Sequence, residues 1–100
     1  MNDRTHYLVV DGNISGTGIR DAVEGGYLTA SELGISECLG DKISAWQQRY
    51  EIAHFRAYTD VTEVDKLDAE GLALRQKLAV ELVRAKVQYF SSAKMQLLFL

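Results

Sequence analysis

One hundred residues, 47% hydrophobic and 25% charged, suffice for one domain around a single core and are too few for two. A net charge of −3 argues against a polyanion binder, and no run of 18 apolar residues announces a transmembrane helix. The single cysteine, Cys38, leaves no internal disulfide, and with two distant histidines it offers no structural metal site.

The first apolar run, "THYLVV" (5–10), is rich in β-branched and aromatic residues and stops at Asp11-Gly12, as a strand followed by a turn does. The segment before it, Met1 to Arg4, lacks the basic-then-apolar pattern of a signal peptide, so a cytoplasmic location is expected. Then comes "DGNISGTGIRDAVEGGYL" (11–28), with five of the eight glycines. A dinucleotide fingerprint needs G-x-G-x-x-G. Gly16 and Gly18 supply two positions, but Asp21 holds the third, where a carboxylate repels phosphate. The Walker lysine is missing too. The stretch therefore reads as an ordered loop anchored by Ile14 and Ile19, with Arg20 beside Asp21 either tying it by hydrogen bonds or exposed, and with "GGYLT" (25–29) able to add a short strand.

A helix is predicted from Glu37 to Phe55. Ser36 is its N-cap, and Leu39, Ile43, Trp46, Tyr50 and Ala53 form its apolar stripe. A second helix follows the turn near Thr59, capped by Asp60 with Glu63 or Thr62 with Asp65. Its stripe is Val64, Leu67, Gly71, Leu74, Leu78 and Leu82. Gly71 on that buried face implies a close approach by a bulky side chain, with Trp46 of the first helix as the expected neighbour. "KVQYF" (86–90) and "KMQLLFL" (94–100) across a short break predict an antiparallel hairpin with a largely buried last strand. The fold class is α+β: a small antiparallel sheet, made of the N-terminal strand and this hairpin, packed against an antiparallel pair of helices.

Charge is unevenly distributed. Residues 11–41 hold Asp11, Asp21, Glu24, Glu32, Glu37 and Asp41 against Arg20 alone, a net −5. Residues 75–94 hold Arg75, Lys77, Arg84, Lys86 and Lys94 against Glu81, a net +4 that complements the dipole of the second helix. Catalytic candidates are few. His6 and His54 read as structural, and Cys38, in a first helical turn, has no histidine near it in sequence. Asp68 and Glu70, two residues apart, cannot share a helix face as a carboxylate pair. No cofactor site emerges.

Several segments together resemble a family. "SGTGIRD" (15–21), "GGYL" (25–28), "LGIS" (33–36), Trp46 with "RYE" (49–51) and Ala53-His54, "LDAEGLAL" (67–74) and "KVQYFSSAKM" (86–95) are similar to small bacterial immunity proteins paired with polymorphic toxins, including those of contact-dependent growth inhibition. The resemblance implies a cytosolic binder without catalytic machinery that covers a toxin's active site or a nearby surface. Many such toxins are nucleases with cationic clefts, which an acidic surface complements. Asp11, Asp21, Glu24, Glu32 and Glu37 are then the candidate partner-binding residues, with Gln47, Gln48 and Glu51 next. The partner is a protein, with no nucleic acid or membrane involved. The alternatives are an interaction module without a toxin, dimerising through "MQLLFL", and a small enzyme using His54 or Cys38.

Overall fold

The chain runs β1 (His6–Asp11), β2 (Ile19–Asp21), α1 (Ala30–Leu33), α2 (Glu37–Phe55), α3 (Val61–Glu81), β3 (Ala85–Ser91) and β4 (Gln96–Leu98). This computed structural model describes residues 6–99. Thr5 and Leu100 of the expected strands, and the Met1–Arg4 segment, lie outside the described residues. The class is α+β, but the sheet is mixed rather than antiparallel. Its order is β2-β1-β3-β4, with β1 and β3 parallel and each outer strand antiparallel to its neighbour.

The parallel pairing follows from β2, a strand inside the stretch expected to be loop. Each long element carries the chain from one end of the molecule to the other. Because β2 returns it to the start of β1, the helix pair brings it back to that same end, and β3 must leave parallel to β1. Contacts mark the two ends. Ser36, the N-cap of α2, donates to Glu81 at the end of α3 (2.7 and 2.6 Å), so the helices run oppositely. Glu51, late in α2, accepts from the Ser15 amide in the β1–β2 loop (2.8 Å).

The helix starts match the residue chemistry. The Ser36 side chain accepts from the Leu39 amide, and Asp60 does the same for Glu63. The short α1 escaped the sequence reading, although Thr29 and Glu32 close a complete capping box there. Leu39, Ile43, Trp46, Tyr50 and Ala53 from α2 are buried with Leu67, Leu74 and Leu78 from α3 and with Leu8, Val10, Ile19, Val87 and Tyr89 from the strands. Of the residues alternating with these strand positions, Tyr7, Lys86, Gln88 and Leu97 are exposed, whereas Val9 and Asp11 on β1 are buried. The last strand is not buried as expected: Leu97 is 40% and Phe99 73% exposed, and only Leu98 packs against the core.

Gly71 does lie at a close approach, but against the sheet and not against α2. A Cβ there would fall onto Cε1 of Tyr89, 2.6 Å from Cζ and 2.8 Å from the hydroxyl. Trp46 instead meets α3 through its ring N–H, which donates to the Leu67 carbonyl at 2.8 Å.

Candidate protein-binding surface

The glycine-rich loop is packed from within. The ring of Tyr50 fills the space where Gly12 lacks a side chain, and Ile43 lies against Gly18, whose φ is +97°. Gln47, buried on α2, donates to the Asn13 carbonyl (2.8 Å) and to Glu51 (3.2 Å). The amide of Ser15 and then Gln47 hold the Glu51 carboxyl below its ordinary pKa. Gln47 and Glu51, reserve candidates for partner contact, thus fasten this loop to α2. Gln48 is exposed and bonds to Ser44.

The five candidate acids separate into two groups. Asp11 is 4% exposed. Its carboxylate accepts from Arg20 Nε (3.1 Å), the Asn13 amide (2.8 Å) and the Ser92 hydroxyl (3.2 Å). It is an internal charge, engaged within the fold. Asp21 is half-buried, and its Oδ1 accepts from the amides of Val23 (2.9 Å) and Glu24 (3.0 Å), fixing the turn after β2. Glu24, Glu32 and Glu37 are exposed, as are Asp41 and, at 72%, Val23. Glu32 keeps one oxygen on the Thr29 amide and hydroxyl. From residue 21 to residue 41 the chain has no lysine or arginine, so the β2 turn, α1 and the first turns of α2 carry carboxylates without a cation among them.

Sequence reasoning missed the main polar centre. Asp68 is 3% exposed inside the core. Its Oδ1 accepts from the hydroxyls of Tyr50 (2.8 Å) and Tyr89 (2.6 Å), and its Oδ2 from the Ser91 hydroxyl (2.9 Å). Lys94 Nζ lies 3.3 Å from Oδ2 and also pairs with Asp65. One carboxylate therefore joins α2, α3, β3 and the β3–β4 turn. Burial pushes the Tyr50 hydroxyl up to about 12 and that of Tyr89 further in the same direction. With four donors converging on it, this carboxylate ties these elements together. The signal was present: Asp68 falls on the apolar stripe between Val64 and Gly71, where a charge needs partners.

The other titratable candidates are placed as follows. His54 is exposed, with Nδ1 3.1 Å from the Tyr58 hydroxyl and its ring edge-on to Phe55 and Tyr58. Cys38 and His6 are exposed. Among the described residues no three His, Cys, Asp or Glu side chains cluster as metal ligands, and no helix is long and apolar enough to cross a membrane. No protein-family model, curated protein or solved structure matches the chain.

Proposed function

We propose that this chain is an immunity protein, acting in the cytoplasm, that binds a cognate bacterial toxin and covers its active site or an adjacent surface. The toxin fitting this reading is one with a cationic cleft, as nucleases have. The contact surface is the flank formed by the turn after β2, by α1 and by the start of α2. The observation that carries the reading is the run of exposed Glu24, Glu32, Glu37 and Asp41 on consecutive elements without a lysine or arginine between them. Oppositely charged surfaces accelerate encounter and reject partners of the wrong sign. Val23, exposed beside Glu24, adds an apolar contact in a turn that Asp21 already orders, so little chain entropy is lost on docking.

The test is co-expression with the product of the open reading frame next to this gene, which the reading requires to be a toxin. Growth should be restored, and the two chains should co-purify as a complex. Continued toxicity with the chain present at the toxin's level, or separate elution of the two proteins, would sink the reading.

A further inference from the structure

The two edges of the sheet are finished differently. At β2 the following segment takes up the outward backbone groups: the Asp21 amide donates to the Gly26 carbonyl and the Leu28 amide to the Ile19 carbonyl, both at 2.9 Å, with Tyr27 bridged to Arg20. That edge is closed. Among the described residues nothing hydrogen-bonds to the outer side of β4. Residues 95–99 read Met-Gln-Leu-Leu-Phe, with no charge and no proline, and so lack two of the devices that keep natural edges from pairing. Met95, Leu97 and Phe99 are 75%, 40% and 73% exposed.

We infer that β4 pairs antiparallel with β4 of a second copy, joining two sheets into one of eight strands. Two features select this occupant. With β2 closed, β4 has no complementary edge on another copy except β4 itself, so the contact is isologous and stops at two rather than growing into a filament. The strand is also electrostatically compatible with its own antiparallel image. With Leu97 near the two-fold axis, Lys94 of each copy lies at opposite ends, on the order of 20 Å apart at ~3.3 Å per residue. That exceeds the ~8 Å screening length in physiological salt.

The contact area sets the strength. At roughly 200 Å² for a fully exposed large side chain, Met95, Leu97 and Phe99 offer about 400 Å² per copy. The pair then buries at most about 800 Å², below the ~1,200 Å² of standard stable interfaces. The dimer is accordingly weak and concentration-dependent. It leaves the acidic flank free, because that flank follows the opposite edge of the sheet, and it stands whether or not a toxin is the partner.

Sedimentation velocity on the full chain, from about 10 μM to about 1 mM, reads this directly. The sedimentation coefficient should rise from monomer toward dimer across that range. Leu97→Lys should hold the chain monomeric, and Phe99→Lys, at a site too exposed to disturb folding, should weaken association at least tenfold. Phe55→Lys, at an equally exposed site on the end of α2, should leave association unchanged. A wild-type chain that stays monomeric to about 1 mM overturns the inference. So does association that survives Phe99→Lys within a factor of ten, or that is lost in Phe55→Lys.

Discussion

Replacing Gly71 by alanine sets two physical effects against each other. In an open helix interior the change is favourable by ~1 kcal/mol, because glycine loses more backbone freedom on folding. Here the added methyl falls on the Tyr89 ring, itself fixed by its hydroxyl bond to Asp68 (2.6 Å) and by edge contact with Trp46. The ring cannot retreat without stretching a bond to a buried carboxylate, worth about 1.5–3 kcal/mol. If it stays, α3 must lift off β3, and overpacking of this kind costs about 1–3 kcal/mol. After the ~1 kcal/mol propensity gain, Gly71→Ala should still destabilise, by up to about 2 kcal/mol in urea unfolding, with an unchanged dependence on denaturant. A double-mutant cycle identifies the cause: in a Tyr89→Leu background the penalty should fall by at least about 1 kcal/mol. A stabilised Gly71→Ala protein, or a penalty indifferent to residue 89, would refute the close-approach argument.

Leu78, fully buried on α3, should cost roughly 2–5 kcal/mol as Leu78→Ala through the cavity it leaves, and a measured loss below half a kcal/mol would mean that α3 is not packed as described. Stability should also fall in alkali. The unfolded Tyr50 ionises near pH 10 while the folded one stays neutral to about 12, so the native state binds the extra proton and loses stability as pH rises through that window. Two units correspond to on the order of 2–3 kcal/mol, and a urea midpoint that is flat between pH 10 and 12 would contradict it. Because Asp21 orders its turn and Glu24 does not, Asp21→Lys should lower the melting temperature by several degrees, about 1 kcal/mol in a chain of this size, while Glu24→Lys leaves it nearly unchanged. Equal melting temperatures for the two variants would remove the distinction between them.

The helices were legible because their signals are local. Ser36 and the two apolar stripes announce α2 and α3 from spacing, with the structure choosing Asp60 over Thr62 as the cap of α3, and each stripe residue from Leu39 to Leu78 is buried. What the sequence concealed is long-range. Three residues, Ile19 to Asp21, among glycines do not announce a strand, and without β2 the direction of β3 relative to β1 comes out wrong. The close approach at Gly71 was readable, since glycine on a buried stripe demands a reason, but no local pattern distinguishes Trp46 from Tyr89 as the group that fills it. The acids illustrate the same limit. Asp11 and Asp21 look in sequence like Glu24, yet Arg20 and the turn amides engage them inside the fold. Charge is counted along the chain, whereas its availability depends on what folds over it.

The most direct test of the proposed function is the association rate between this chain and the toxin that the proposal requires, followed by stopped-flow fluorescence across a series of salt concentrations. Wild-type protein should bind faster at low salt and slow steeply as salt is added, because exposed carboxylates steer the encounter. Glu24→Lys with Glu37→Lys should slow association at low salt and flatten that dependence. Reversing Glu37 in the first turn of α2 costs only about 0.3–1 kcal/mol of stability, so the double variant remains folded. If its rate and salt dependence match those of the wild type, the acidic flank is a solvated surface and the contact lies elsewhere on the molecule.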